Sequence, residues 1–192
     1  MYLTDVSDLP GLEEVWADTF PADPPARTII PISGLGPAGT RIEITLVARA
    51  PDGPPKEVLA RERSPRPLGH ESQAVRVGPY VFLSGQLAAD GEGLAPVAAV
   101  DARLPYYHVP VKREWAVILQ NVQALCGAAG GSLANLVKAQ VFLTDLRDLA
   151  PTAEVWAQAF ASDPPARTAV QVPTLPVPGC TVMAWFIGYV GE

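Results

Sequence analysis

An α+β domain, with a mainly antiparallel sheet covered on one face by helices, is the fold class this sequence predicts. Three observations predict it. Strand-like apolar segments alternate with two stretches of helical period. The strands are too short to close a barrel by themselves, so they need helices to cover them. Residues 141–190 repeat eighteen of the first fifty positions without a gap.

The repeat sets the domain organisation. "DPPARTII" at 23–30 returns as "DPPARTAV" at 163–170, 140 positions later. Aligning 1–50 with 141–190 needs no gap and leaves eighteen of fifty positions identical, a level that marks an internal duplication. Trp16 with Trp156 and Phe20 with Phe160 recur at helical spacing, as paired core anchors do. The chain therefore reads as three parts. Residues 1–50 are the C-terminal half of a first unit, in the order β-α-β-β. Residues 51–66 are a linker rich in Pro, Gly and charge, with room for a short strand at 57–61. Residues 67–192 are a complete unit.

Within the complete unit each element has its own signal. "QAVRV" and "YVFLSG" read as strands joined by a Gly78–Pro79 turn. From Val111 to about Ala129 the apolar residues Val111, Trp115, Ile118, Leu119, Val122, Leu125 and Cys126 recur at helical intervals, and Gly130–Gly131 ends the helix. "LVKAQVFLTDL" is a strand. "PTAEVWAQAF" is a helix with Pro151 in its first turn. "ARTAVQV" and "CTVMAWFIGYV" are the closing strands.

Composition excludes several classes. The formal charge of −6 opposes nucleic-acid binding, which rests on neutralising phosphates, and the nearest thing to a basic run, "ARERSPR" at 60–66, is broken by proline. Cys126 and Cys180 form no CxxC pair, and with His70 and His108 they give no metal-ligand spacing. Two unpaired cysteines suit a reducing compartment. The first residues lack the basic start and apolar stretch of a secretory signal, and no apolar run reaches membrane-spanning length. A cytoplasmic protein is the expectation.

Four segments carry a resemblance: "SQAVRVGPYVFLSGQLA" at 72–88, "NVQALCGAAGGSLANLVKAQVFLTDL" at 121–146, "EVWAQAF" at 154–160 and "PPART" at 164–168. In this order they resemble the RidA/YjgF reactive-intermediate deaminase family. "LPYYHVPVKREWAVILQNV" at 104–122 is similar to tandem members, in which a PYY segment precedes the long helix. The resemblance implies a chorismate-mutase-like α+β fold and a homotrimer with small-molecule clefts between neighbouring subunits. It also implies cofactor-free hydrolysis of reactive enamine or imine acids such as 2-iminopropanoate to a 2-oxo acid and ammonia.

The resemblance also implies site residues. The carboxylate-binding arginine falls on Arg27 and on Arg167; a guanidinium fork can grip a carboxylate through two parallel hydrogen bonds. The glutamate that positions the attacking water falls on Glu43 in the half unit, but the same place in the complete unit is Met183, which can neither take a proton nor orient water. Arg27 and Glu43 are therefore expected to keep the pair. Glu71 stands where the family writes a tyrosine, as a substitute base or as a repellent of anions. Beside it, His70 reads as an exposed loop residue. Ser84 and Gly85 are expected at the cleft wall opposite the arginine of a neighbouring unit. The family's asparagine before the second helix's Glu-Val is replaced by Glu13 and Ala153, so its hydrogen bond is expected to be missing.

Three functions compete at this level. A hydrolytic deaminase of small imine acids would use Arg27 and Glu43, with Arg167 as a weaker site. A non-catalytic binder of small carboxylates would fit Met183 and Glu71. An endoribonuclease, a name used for some family members, fits neither the charge nor the histidines. The expected partners are a carboxylate-bearing small molecule and further copies of the chain, with no nucleic acid, membrane, metal or cofactor.

Overall fold

The computed structural model describes residues 1–59 and 67–191. The expected linker residues 60–66 lie outside that range. Residues 1–50, called the half unit after the sequence reading, run β1 (Tyr2–Leu3), α1 (Leu9–Thr19), β2 (Ile30–Pro31) and β3 (Ile42–Glu43). β4 (Lys56–Leu59) follows in the connection. The complete unit opens with the hairpin β5 (Ala74–Val77) and β6 (Tyr80–Leu83), turned by Gly78 at φ +57. The short strands β7 (Gln86–Leu87), β8 (Ala89–Asp90) and β9 (Gly93–Leu94) come next, and β8 pairs with β9 as a small separate ribbon. Then come α2 (Pro110–Ala128), β10 (Leu136–Leu143), α3 (Leu149–Ala159), β11 (Ala166–Gln171) and β12 (Val182–Tyr189).

The main sheet has the order β11-β10-β12-β6-β5-β4, with β7 also laid on β12. Only β10 and β11 run parallel; the other pairs are antiparallel. The alternation of β12 sorts its side chains to two faces. Val182, Ala184 and Phe186 join the core under α2 and α3, while Met183 and Trp185 face the other way. The helical period of α2 places Val111, Trp115, Ile118, Val122, Leu125 and Cys126 in contact with the sheet, and all are buried. The indole of Trp115 donates to the Thr152 hydroxyl at 3.1 Å and so ties α2 to α3.

The half unit covers the opposite face. Tyr2, Ile30 and Ile32 pack against Leu87, Phe142, Leu175 and Met183 in a second apolar cluster. A third, small cluster of Met1, Leu3, Trp16 and Ile29 holds α1 on its own three strands. The two sets of strands are built in the same register. Tyr2 pairs with Ile30 and Glu43, and Phe142, 140 residues later, pairs with Val170 and Met183. The left-handed turn before each PPART segment is repeated too, at Asp23 (φ 46) and Asp163 (φ 50); aspartate is among the few side chains that tolerate this conformation.

One half-unit strand is shorter than its alternation predicts. β3 stops at Glu43, whereas its counterpart β12 runs eight residues. β12 is held on its far side by β6 and β7. Among the described residues no such hairpin flanks β3, and Ile44, Leu46 and Val47 are left exposed.

Glu114 was not foreseen. It projects from α2 with 1 % exposure and accepts from the Thr181 amide at 2.8 and 3.0 Å, the Thr181 hydroxyl at 2.7 Å and the Val182 amide at 3.2 Å. It thereby satisfies the backbone donors at the start of β12. Burial pushes its carboxyl above the ordinary range, and these hydrogen bonds pull the other way.

Phe142 is 1 % exposed and belongs to the cluster joining the two units. Phe142→Ala is expected to lower stability by about 3–5 kcal/mol, read as a lower urea midpoint. A loss below about 1 kcal/mol would mean that the half unit does not pack on this face.

Candidate functional site

The site is built where the first PPART segment lies against the front of the complete unit. After α1 ends, the turn at Asp23 sends residues 24–28 along Ser72 and Ser84–Gly85, joined by a single parallel bridge between Ala26 and Ser72. The Ser72 amide donates to the Pro25 carbonyl at 3.2 Å, and its hydroxyl donates to that of Pro24. The Arg27 amide donates to the Ser84 hydroxyl oxygen at 2.9 Å, and Ser84 donates onward to the Ser72 carbonyl at 2.5 Å. The Gly85 amide donates to the Arg27 carbonyl at 3.2 Å. Gly85 is required here, because a Cβ would lie 2.9 Å from Thr28 and 3.1 Å from the Met183 sulfur. Ser84 and Gly85 thus hold the backbone of the arginine segment.

Arg27 is 5 % exposed. Its Nε donates to Glu71 Oε2 at 3.1 Å, and its Nη2 donates to Glu13 Oε1. Its guanidinium lies 5.2 Å from the centre of the Trp16 ring. Nη1 is buried and has no hydrogen-bond partner among the described residues. The second oxygen of Glu13 accepts from the His70 amide at 2.8 Å, and the His70 ring donates to the Phe20 carbonyl at 2.6 Å. His70 is therefore half-buried and engaged, not an idle exposed loop residue. Gly69 sits directly over the ion pair: a Cβ there would lie 2.6 Å from Arg27 Nη2 and 2.7–2.8 Å from both Glu13 oxygens.

A cavity of about 70 Å³ opens beside this triad, lined by Glu13, Arg27, Glu71, Leu68, Leu87 and Met183 among others. A neighbouring cavity of about 40 Å³, with Gln73, Gln86 and Asn121 in its wall, shares Glu71 with the first. Glu71 is thus the polar group common to both. Burial pushes its carboxyl above the ordinary range. Arg27 opposes that shift, and Glu13 adds to it.

The expected pairing of Arg27 with Glu43 is corrected. Glu43 is exposed on β3 and makes no ion pair with Arg27. The register explains why. Glu43 is level with Ile30, three residues beyond Arg27, and the central strand β1 separates the two strands. Three residues along and two strands across amount to roughly 14 Å. Arg27 and Glu43 of the same unit therefore do not meet here, and the residue that lines the cavity with Arg27 is Met183 of the other unit. The expectation about residue 13 is corrected as well. Glu13 does take part in hydrogen bonds, accepting from Arg27 Nη2 and from the His70 amide. The signal lay in the residue type: a glutamate one helical turn from Trp16, where the later copy has Ala153.

Arg167 is placed differently. It lies on β11, the edge of the main sheet, with its guanidinium 4.7 Å from the centre of the Trp156 ring. Among the described residues it has no ion-pair partner, and its Nη1 is buried without a hydrogen bond. Burial pulls its pKa below the ordinary arginine value. No group of three or more His, Cys, Asp or Glu among the described residues is arranged to hold a metal. No described helix is long and apolar enough to cross a membrane.

Comparison with known proteins gives a consistent picture. The family profile described as "Endoribonuclease L-PSP" matches residues 61–183. A RutC family protein of Pyrococcus abyssi is 36% identical over 121 residues, covering 63% of this chain and 87% of that protein. The putative reactive intermediate deaminase TdcF of Escherichia coli K12 is 35% identical over 124 residues, covering 63% and 88%. The crystal structure of RidA from the Antarctic bacterium Psychrobacter sp. PAMC 21119 superposes with a TM-score of 0.58 at 36% identity, over 70% of this chain and 99% of that one.

Glu71 generates a pH prediction. Its raised pKa means that the folded chain keeps this proton to higher pH than the unfolded chain does. Stability then falls as pH rises from the ordinary value of 4.5 through the raised one. Glu71→Gln is expected to fall less steeply than wild type when thermal midpoints are compared from pH 4.5 to neutrality. Parallel profiles would refute the shift.

Proposed function

Since this chain belongs to the endoribonuclease L-PSP family, also called RidA/YjgF, we propose that it hydrolyses small reactive imines to a carbonyl compound and ammonia in the Arg27 pocket. Glu71 is the group that moves the proton. The observation that carries this reading is the position of Glu71: a buried carboxylate with a raised pKa, held by Arg27 and lining both cavities. A carboxylate tuned toward neutral pH is suited to proton transfer.

The chemistry is balanced by water alone. Water adds to the carbon of the protonated C=N bond, the iminium form, and gives one proton to Glu71. The neutral tetrahedral intermediate carries a hydroxyl and an amine on that carbon. Glu71 returns the proton to nitrogen and the C–N bond breaks. The electrons of the hydroxyl O–H bond form the C=O bond, and the hydroxyl proton leaves with ammonia as ammonium. Arg27 steadies the carboxylate of Glu71 through Nε, and so fixes the proton-moving group in place.

Met183 favours a second reading, in which the pocket binds without turnover, because methionine stands where the family resemblance implies the water-positioning glutamate. RNA cleavage finds little support in a chain of net charge −6. The test is ammonia release from two imines generated in place, 2-iminopropanoate and the imine of acetone. Wild type is expected to exceed the uncatalysed rate on at least one, and Glu71→Gln to lower kcat by roughly 10²–10⁴. No acceleration of either imine sinks the hydrolytic reading.

A further inference from the structure

We propose that Glu13 and Glu71 supply from within the chain the carboxylates that Arg27 binds, so that the pocket takes small imines and iminium ions carrying no carboxylate of their own. This rests on the hydrolytic reading for the reaction, but not for the ligand class. It begins from what a ligand meets. The side chain of Arg27 is 3% exposed, against 11% for Glu71 and 27% for Glu13. Of the three charged side chains that line the cavity, the two glutamates are the more exposed and the arginine is the most buried.

Charge points the same way. One guanidinium and two carboxylates leave the triad at a formal −1 when all three are ionised. Much of the remaining wall is apolar, including Leu9, Ile29, Leu68, Leu87 and Met183. A substrate carboxylate would bring a third negative charge into a poorly solvated space, or would have to break a buried ion pair. An iminium nitrogen brings the charge that neutralises the site and the N–H donors that carboxylates accept.

The carboxylates are not loosely parked. Glu13 is held at both oxygens, by Arg27 Nη2 and by the His70 amide. The backbone of Gly69 closes over it with no room for a Cβ. The duplicated segment offers a built-in comparison: the position equivalent to Glu13 is Ala153, and Arg167 there has no carboxylate partner among the described residues. At roughly 10–15 Å³ per water-sized site, a cavity of about 70 Å³ suits a ligand of a few heavy atoms.

The test pairs two ligands of one carbon skeleton, isopropylammonium and isobutyrate, titrated by calorimetry and by chemical-shift perturbation. Wild type is expected to bind isopropylammonium and to leave isobutyrate unbound. Glu13→Gln, which keeps the shape of the side chain, and Glu71→Gln are each expected to weaken isopropylammonium by about tenfold or more, the scale of one charged hydrogen bond. Glu13→Ala is expected to gain binding of isobutyrate. Tighter binding of isobutyrate than isopropylammonium by wild type overturns the proposal, and so does binding of neither. In the kinetic arm, wild type is expected to favour the imine of acetone over 2-iminopropanoate in kcat/KM, and Glu13→Ala to shift that ratio at least tenfold toward 2-iminopropanoate. Preference of wild type for 2-iminopropanoate overturns the ligand class while hydrolysis stands. Retained isopropylammonium binding with no turnover supports the ligand class while the hydrolytic reading falls.

Discussion

A single buried cation governs the seam of this molecule. Arg27 comes from the half unit, Glu71 comes from the complete unit, and Glu13 reaches across from α1. Removing one partner from such a buried arrangement typically costs about 3–5 kcal/mol, because the charge left behind has no water to turn to. The surrounding features follow from that constraint. The PPART segment must run alongside Ser72 and Ser84 to bring the guanidinium in. Ser84 and Ser72 receive its backbone, and Gly69 and Gly85 keep their Cα atoms bare so that the chains can approach. The apolar cluster around Phe142 and Ile30 then seals the same joint on the sheet side.

The fold was largely legible from periodicity. α2 buries the face that its apolar spacing predicts, and α3 begins only two residues before Pro151, since a proline in the first turn removes a donor that has no helical partner anyway. β3 was less legible. "IEITLVA" alternates as a strand should, yet a ladder needs a neighbour, and periodicity does not reveal whether one is present.

The site was legible by residue and not by pairing. Arg27, Glu71, Ser84 and Gly85 do converge. Glu43 does not join them, because strand register carries it three residues along and two strands away from its own unit's arginine. Glu13 was readable as an unusual glutamate beside Trp16, but its target could be known only once α1 was laid against Gly69 and His70. Glu114 left no sequence signal at all. A glutamate amid the apolar residues of α2 looks like a solvated flank until the start of β12 is seen to need its oxygens.

The shared register of the two halves has a consequence for how such a gene drifts. Two segments of similar sequence and register sit in different surroundings. Position 13 is bound to position 27 by opposite charge, so either can change only in concert with the other, whereas position 153 has no such tie. Selection should therefore hold the pair at 13 and 27 in lockstep and leave the later helix freer to change at position 153.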